Sequence, residues 1–444
     1  MDTTKLTLTL AVLAAPFSSV AAVPGCDARK TAEILAPASR EQPSVQIDCN
    51  LSLPPKSLVT KQLLLSGRKA SGITVDCNGA TLRSTADNRP TLRILVSSAK
   101  TTREDGTTQW IPPQDITIKN CRIEGPVRIQ GMAINGEDAS LTASSRQAGH
   151  TERVQAAAPS GISLLNNDFV ASGQIPLYFS PGVHHARLEN SRFSGYSYSI
   201  AFYLDAESAY NTIKNNTFNV ETRRQDTLTN KALIALHQLD NWFDTDLVKG
   251  SQSYREQIAV DGSAHNLFAG NRFNRLEHGG IYLYRNCGEG GNIRHQTPTG
   301  NRIVNNVFYY RNFDGSVPAV WLGSRKGDRS YCDLDKGYPF GSSASDLDHA
   351  DGNAVTQNQF YKFAPGKMIR DGGRGNYLAG NATVTRQIKR KSGCYLADAS
   401  PNLLAHGQAI RQTRHDAPAA CIVEVLSCDD GEIRVAEQPC PSAP

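Results

Sequence analysis

Short runs of alternating apolar and polar residues recur along this chain, and most of them end in the unit Asn-x-Phe. The clear copies are ISLLNNDF ending at Phe169, ARLENSRF at Phe193, NTIKNNTF at Phe218, NLFAGNRF at Phe273, NRIVNNVF at Phe308 and NAVTQNQF at Phe360. ITIKNCRI, ending at Ile123, and NYLAGNAT, ending at Thr383, are divergent copies. Neighbouring copies without an insertion stand about 24 residues apart, a period typical of solenoids.

Such short strands cannot bury their apolar faces alone, so the repeats predict coils that stack on one another. Stacking places the phenylalanines of the repeats in one internal column. A second column at a bend holds Asn167, Asn216, Asn271, Asn306 and Asn358, interrupted at Ser191. There each amide can bond to turn backbone groups and to the next Asn. The first coils, about 49–82, together with Cys26, are expected to seal one end of the core.

The repeat pattern resembles the right-handed parallel β-helix repeats of pectate lyases, alginate-processing enzymes and chondroitinase B-like lyases. The resemblance covers roughly residues 45–385. It implies an all-β, right-handed parallel β-helix with long lateral loops, and a carbohydrate-active protein. It does not define the chemistry, because this fold carries lyases, hydrolases, epimerases and adhesins.

Composition and charge place the protein in a compartment and exclude some partners. The formal charge of +5 over 444 residues is small and scattered, so no nucleic-acid partner is expected. Residues 1–22 read as a signal peptide, with Lys5, an apolar run and a small-residue cleavage site, and are too short to span a bilayer. All ten cysteines follow it, which favours disulfides in an oxidising compartment. A secreted or periplasmic monomer is therefore expected, and lipidation at Cys26 is disfavoured by Pro24.

The signal, the repeats and the C-terminal cysteines divide the chain into three parts. Residues 1–22 are the signal, 23–385 the β-helix with its N-terminal cap, and 386–444 a basic linker and a small module carrying four cysteines. About 47 residues cannot build a sufficient core alone, so that module is predicted to be stapled by disulfides.

The strands that precede each Asn-x-Phe unit form a further set of columns. Asp205, Asp261, Tyr284 and Gly323 end equivalent strands, so they are predicted to lie side by side on successive coils, about 4.8 Å apart. The loops that follow Tyr284 and Gly323 are long, and each carries one central cysteine. We predict a Cys287–Cys332 disulfide, because loops of consecutive coils emerge side by side.

Polar residues in and around this column supply the groups that a uronic-acid lyase needs, namely a cation, a base and an acid. The candidate catalytic residues are Tyr284, Arg285, His278, His237 and Arg325. The candidate substrate-binding residues are Asp205, Asp261, Tyr282, Trp321 and Arg294. Asp205, Glu207 and Asp261 are candidate ligands for a calcium ion. The expected partner is an anionic polysaccharide.

Several of these candidates also have a structural interpretation that the sequence leaves open. Asp205 and Asp261 can satisfy turn amides, and His278 can be a turn residue before Gly279. Arg285 can form a structural salt bridge, and Tyr282 can belong to the core with Tyr284.

Two insertions leave other corners of the coils. Residues 133–159 are predicted to be a mobile loop, whereas 225–254 contain apolar residues at helical spacing around His237. The leading prediction is an exported β-helix that cleaves an anionic polysaccharide by β-elimination. A non-catalytic glycan-binding or cell-surface protein and a glycoside hydrolase are the alternatives.

Overall fold

A computed structural model describes residues 23–84, 92–133, 137–222, 255–276, 278–286, 291–310, 317–323, 337–341 and 350–384, and the backbone of three later strands. Its described part is a right-handed parallel β-helix, as predicted. Each coil contributes one short strand to each of three parallel sheets, so strands adjacent in a sheet come from successive coils. Parallel strands joined by crossovers of this kind are right-handed in almost all proteins.

The three sheets are numbered in the order in which the chain enters them. Sheet 1 contains Ser44–Gln46, Gln62–Ser66, Ile94–Ser97, Val127–Gln130, Leu177–Phe179, Phe202–Leu204, Ile258–Asp261, Ile281–Tyr284, Val320–Leu322 and Ile369–Asp371. Sheet 2 contains Leu51–Ser52, Thr74–Asp76, Thr117–Lys119, Ser163–Leu165, Arg187–Glu189, Thr212–Lys214, Leu267–Ala269, Arg302–Val304, Ala354–Thr356 and Tyr377–Ala379. Sheet 3 contains Leu58–Val59, Thr81–Arg83, Arg122–Glu124, Asp168–Gly173, Arg192–Ser197, Thr217–Phe218, Glu221–Thr222, Arg272–Leu276, Val307–Tyr310, Gln359–Tyr361 and Ala382–Val384.

The phenylalanine column lies inside the helix and is confirmed. Successive rings from Phe169 to Phe360 stack nearly parallel, with centroids 4.6–5.2 Å apart. All six rings are fully or almost fully buried, so they contribute a large apolar surface to the core. The column exists because the pairing register puts each Asn-x-Phe unit directly beside the next.

The asparagine column is also confirmed, and the structure contains a second asparagine column that the sequence interpretation missed. From Asn216 onward each side-chain amide donates to the carboxamide oxygen of the next Asn at 3.0–3.1 Å. Ser191 bridges the gap, since its hydroxyl accepts from the Asn167 amide and its own amide donates to Asn216. A second column at the preceding bend contains the buried Asn211, Asn266, Asn301 and Asn353 and ends at the half-buried Asn376.

Two disulfides close the first coils. Cys26 pairs with Cys49, and Cys77 pairs with Cys121. Cys121 occupies the Asn position of its repeat, and its amide donates to the Asn167 side chain. The disulfide thus begins the column that asparagines continue. Helix α1 (Ala28–Leu35) covers this end and is tied down by Lys61, whose ammonium group donates to the Glu33 carbonyl.

The insertion at 133–159 is helical, so the prediction of a mobile loop was wrong. It forms α2 (Ala139–Ser145) and α3 (His150–Ala156). Leu141 and Val154 bury against each other with Met132 and Ala157 in a small separate core. Asp138 caps α2 by accepting from the Ser140 amide, a common N-terminal signal in sequence.

The remaining elements lie outside the three sheets. They are the hairpin Ala99–Thr102 with Thr108–Ile111, the 3-10 turn Arg68–Ala70, helix α4 (Pro365–Met368), and an antiparallel sheet of Ile410–His415, Cys421–Asp429 and Glu432–Pro439. None of the helices in the described ranges has the length and apolar character required to cross a membrane.

Candidate functional site

The outward face of sheet 1 carries a row of aromatic residues on successive coils. Pairing aligns Arg128, Tyr178, Tyr203, Ala259, Tyr282 and Trp321 in one column. The Tyr178 and Tyr203 rings stack with centroids 5.0 Å apart, and the Arg128 guanidinium lies 5.8 Å from the Tyr178 ring. Trp321 lies 6.3 Å from the Tyr284 ring. We call the half-buried Arg128, Tyr178, Tyr203 and Trp321 of this column, together with Tyr284 beside Trp321, the outer strip.

Asp205 and Asp261 lie beside this strip, on adjacent coils as predicted, but Arg294 covers both of them. The Arg294 guanidinium bonds to Asp261 and lies 3.4 Å from an Asp205 oxygen. The Tyr178 hydroxyl donates to Asp205, and the Tyr203 hydroxyl donates to Asp261. Both carboxylates are completely buried. We call these five residues the Arg294 cluster.

Burial controls the protonation of this cluster. It raises the pKa of Asp205 to about 6, although the positive charge of Arg294 opposes that change, while Asp261 adds to it. Burial also raises the pKa of Tyr178 and Tyr203 well above 10, so both phenols remain hydrogen-bond donors. The two aspartates also accept main-chain amides, Asp205 from Ala206 and Asp261 from Asn286. The structural interpretation of both aspartates is therefore the one that their contacts support.

Glu207 is a third buried carboxylate that accepts hydrogen bonds from the loop 291–296. It accepts from the Thr151 hydroxyl on α3 and from the main-chain amides of His295 and Gln296. Burial raises its pKa, and these hydrogen bonds oppose the rise. Arg285, 2% exposed, donates to the carbonyls of Arg294 and His295. The loop 291–296 is thus anchored to the helix through buried charges.

Helices α2 and α3 complete this cover. The His295 imidazole lies 2.7 Å from the Ser145 carbonyl, and Thr142 bonds to Asn292. The His150 and His295 rings are 4.9 Å apart, and Phe340 stacks on His295. Burial lowers the pKa of His150 to about 3, so its imidazole is neutral.

The calcium interpretation does not fit these contacts. Asp205 and Asp261 are engaged by Arg294, whereas Glu207 bonds to α3 and to loop amides. In the described part of the chain, no three His, Cys, Asp or Glu side chains are arranged to hold a metal ion.

A second polar group lies at the corner where each coil passes from sheet 3 to sheet 1. The Arg255 guanidinium contacts the Glu256 carboxylate at 3.2 Å, and the Tyr284 hydroxyl donates to the same carboxylate at 3.0 Å. His278 lies beside Glu256 on the next coil, because the Gln257 amide donates to the Gly279 carbonyl. We call Arg255, Glu256, His278 and Tyr284 the His278 cluster. Apart from Glu256, its members are half-buried.

Burial and the neighbouring charges shift the pKa values of His278, Tyr284 and Glu256 in different directions. Burial lowers the pKa of His278 below 6.5; the Glu256 charge opposes this and the Arg255 charge reinforces it. Burial and the Glu256 charge raise the pKa of Tyr284 well above 10. Burial works to raise the pKa of Glu256, but Arg255 and Tyr284 lower it overall. At neutral pH the site therefore combines a neutral imidazole, a protonated phenol and a guanidinium cation.

The structure separates the predicted candidates into two groups. Tyr284, His278 and Trp321 remain partly accessible, whereas Asp205, Asp261, Arg285 and Arg294 are buried in the anchor of the loop. Tyr282 points away from the core, but its hydroxyl donates to Pro318 and it is 6% exposed. His237, Arg325, Cys287 and Cys332 lie outside the described residues.

Sequence reasoning missed Arg255, Glu256 and Tyr178. Arg255 and Glu256 stand three and two residues before Ile258–Asp261, so extending the alignment of coils toward that corner would have placed Glu256 beside His278. Tyr178 lies in Leu177–Phe179, one coil before the first strand that was aligned.

Comparisons with known proteins give similarity in structure only. No known family model matches the chain, and no curated protein matches it by sequence. The surface protein and adhesin PfbA of Streptococcus pneumoniae is 11% identical, with a TM-score of 0.35, over 74% of this chain and 82% of that one. An alginate lyase from Paenibacillus sp. str. FPU-7 is 11% identical, with a TM-score of 0.24, over 76% and 97%. A tailspike protein of E. coli bacteriophage HK620, in complex with pentasaccharide, is 10% identical, with a TM-score of 0.31, over 79% and 57%.

Proposed function

We propose that this protein is an exported enzyme that binds an extended anionic polysaccharide across its coils and cleaves it by β-elimination. The observation that carries the proposal is the His278 cluster, in which Arg255, His278 and Tyr284 share one partly open corner. The two disulfides of the first coils fit an oxidising compartment and hence export.

Each residue of the cluster has a role in this reaction. Arg255 pairs with the uronate carboxylate and stabilises the charge that develops when the neighbouring C5–H bond breaks. The neutral imidazole of His278 accepts the C5 proton. The electron pair forms the C4–C5 double bond as the C4–O bond breaks, and the Tyr284 phenol donates a proton to the leaving oxygen. Glu256 positions Arg255 and Tyr284 through its hydrogen bonds.

The outer strip supplies the binding surface for the chain. Its rings lie on two pairs of adjacent coils, separated by the coil that carries Ala259, and flat aromatic faces pack well against the apolar faces of sugars. Arg128, which is half-buried at one end of the strip and lies 3.4 Å from Glu137, can turn its guanidinium to an anionic ligand. In this proposal Arg255 replaces Arg285 as the neutralising cation, because Arg285 is buried on main-chain carbonyls.

The test is an elimination assay on alginate, polygalacturonate, glycosaminoglycans and bacterial exopolysaccharides that follows the absorbance of the unsaturated product. Tyr284→Phe and His278→Gln should each lower kcat at least about 100-fold on the substrate that is cleaved. His184→Gln is the matched control, since His184 is a half-buried histidine at another corner whose pKa is also lowered by burial. Absence of unsaturated product on every polysaccharide, or full activity of Tyr284→Phe, would refute elimination at this site.

A glycoside hydrolase is the second candidate, and one observation favours it. Asp205 and Asp261 lie on adjacent coils, and the pKa of Asp205, at about 6, suits a general acid. Both carboxylates are buried beneath Arg294, so hydrolysis requires the loop 291–296 to open first. Saturated products, together with loss of activity in Asp205→Asn, would favour hydrolysis. Retention of a polysaccharide without any product would favour a glycan-binding protein.

A further inference from the structure

Tyr196 and Tyr198 form an exposed aromatic pair close to the corner of the His278 cluster. Their side chains are 47% and 44% exposed, the rings are 5.5 Å apart, and the planes cross at 68°. Single exposed apolar residues are common on protein surfaces, whereas adjoining ones that form a patch can mark a binding site. Neither residue belongs to the outer strip or to the His278 cluster.

The backbone at this corner is built to hold the Tyr198 ring. A Cβ atom on Gly173 would lie only 2.9 Å from the Tyr198 ring, so the ring packs directly on the glycine backbone. The Tyr198 amide also donates to the Gly173 carbonyl at 2.9 Å. Gly173 has φ +105, which other residues rarely adopt. A larger residue at position 173 would therefore displace the ring.

Tyr196 lies in the second of two long strands of sheet 3, and Tyr198 directly follows that strand. Asp168–Gly173 and Arg192–Ser197 pair over six residues, whereas Arg122–Glu124 on the preceding coil pairs with Asp168–Gly173 over only three. The extra length forms a ledge at the end of sheet 3, where the chain turns toward sheet 1. Glu221 pairs beside Tyr196 on the next coil, so this ledge suits the stacking of a sugar ring rather than the pairing of its carboxylate.

The ledge lies in line with the His278 cluster. Tyr198, Arg255 and His278 occupy the same corner of three successive coils, since Phe202–Leu204, Ile258–Asp261 and Ile281–Tyr284 pair in that order. Two coil steps of about 4.8 Å separate Tyr198 from His278, giving roughly 10 Å along the helix axis. A polysaccharide running parallel to the axis would therefore reach Tyr198 when it is seated at His278.

We propose that Tyr196 and Tyr198 form a sugar-stacking subsite for the polysaccharide that is cleaved at the His278 cluster, which sets the direction of the bound chain along this corner. The inference rests on the proposed function for the identity of the ligand. Its own content is the binding of sugar rings at Tyr198, which can be measured without cleavage.

The experiment measures binding in the His278→Gln background, by affinity electrophoresis in native gels that contain alginate, polygalacturonate, hyaluronate or chondroitin sulfate. Adding Tyr198→Ala should weaken retardation by the bound polysaccharide about tenfold, whereas adding Tyr198→Phe should leave it within twofold, because the ring remains. The matched control is Tyr210→Ala. Tyr210 is 51% exposed and lies on the same coil, at the corner between sheets 1 and 2.

The outcomes separate this inference from the proposed chemistry. In one outcome a polysaccharide retards the parent, Tyr198→Ala abolishes that retardation, and the wild-type protein does not cleave the same polysaccharide. This outcome would support the subsite and refute the elimination. Equal retardation of Tyr198→Ala and its parent would overturn the subsite even if cleavage is observed. Equal losses in Tyr198→Ala and Tyr210→Ala, or no retardation of the parent in any gel, would also overturn it. Unchanged thermal unfolding midpoints show that the variants are folded.

Discussion

Replacing Arg294 by methionine should destabilise the protein strongly and in a way that depends on pH. Arg294 is 2% exposed, and its guanidinium is shared by two carboxylates that are completely buried. Methionine fills part of the volume but leaves Asp205 and Asp261 without a countercharge. Breaking a buried ion pair by removing one partner typically costs about 3–5 kcal/mol, since the remaining charge is not solvated.

The direction of the pH dependence follows from the pKa of Asp205. In the folded protein it is about 6, against an ordinary value of 3.8, so ionisation of Asp205 already lowers stability by about 3 kcal/mol between pH 4 and 6. Loss of Arg294 raises this folded pKa further, because the positive charge opposed the effect of burial. Below about pH 6 Asp205 is protonated in the folded wild type and in the folded variant, so its ionisation adds little to the difference in stability between them. Above about pH 6 the folded wild type releases this proton while the folded variant retains it, so the deficit of the variant grows.

Thermal unfolding followed by circular dichroism at pH 5 and pH 8 measures this deficit. At about 2 °C per kcal/mol for a large domain, Arg294→Met should lower the Tm by about 6–10 °C at pH 8 and by clearly less at pH 5. The triple variant Arg294→Met, Asp205→Asn, Asp261→Asn removes every charge of the cluster and should recover most of the loss at pH 8. Equal losses at both pH values, or no recovery in the triple variant, would show that Arg294 acts through packing alone.

Three further predictions concern the core and the proposed site. Asn271→Ala should lower the free energy of unfolding by about 2–4 kcal/mol, because it removes two donated and two accepted hydrogen bonds inside the column; denaturant titration measures this. Cys121→Ser removes the disulfide to Cys77, which spans a sequence separation of 44 residues, and should lower the free energy of unfolding by about 4 kcal/mol. The Tm of the variant should be lower than that of the wild type, and reductant should no longer lower it through this bond. The acidic limb of kcat/KM for elimination should lie below pH 6.5, because the pKa of His278 is lowered and the imidazole stays neutral there.

Each of these has an outcome that contradicts it. As a control, Asn274 faces outward on sheet 3, and Asn274→Ala should change the free energy of unfolding by no more than about 0.5 kcal/mol. A similar loss for Asn271→Ala and Asn274→Ala would show that the asparagine column does not stabilise the fold. A Tm for Cys121→Ser equal to that of the wild type would mean that stacking alone holds the first coils. An acidic limb above pH 6.5 would assign the base to a group other than His278.

The fold could be read from the sequence because each repeat carries its own register. A strand shifted by one residue turns Phe and its alternating neighbours outward, so only one stacking of the Asn-x-Phe units buries all of them. The asparagine column followed from the same alignment, and Ser191 was correctly placed within it. The second column, with Asn211 at its first position, was missed although its residues begin the aligned copies, because the first two copies begin with Ile162 and Ala186 instead. The α2–α3 insertion was missed because its Ala- and Ser-rich composition lacks a helical stripe of large apolar residues.

The site was harder to predict, since a register gives neighbours but does not show what covers them. Asp205, Asp261 and Tyr284 do lie side by side. The loop after Tyr284, however, places Arg294 over the two aspartates. The spacing of residues in the sequence does not predict this loop conformation. The same alignment stopped short of Arg255, which left the corner before sheet 1 without a cation.

The burial of the Arg294 cluster also explains why the accessible chemistry lies at a different corner. A loop as long as that between Tyr284 and Gly300 needs interactions of its own to remain ordered, and Asp205, Asp261 and Glu207 supply them as acceptors. Groups committed in this way are poor catalysts, because withdrawing one to serve a substrate leaves its partner charge buried and uncompensated. The His278 cluster carries less of this constraint, since His278 and Arg255 are half-buried, and its one buried carboxylate, Glu256, is shared by Arg255 and Tyr284. Substituting Tyr284 should therefore affect turnover far more than stability, and substituting Arg294 should do the reverse.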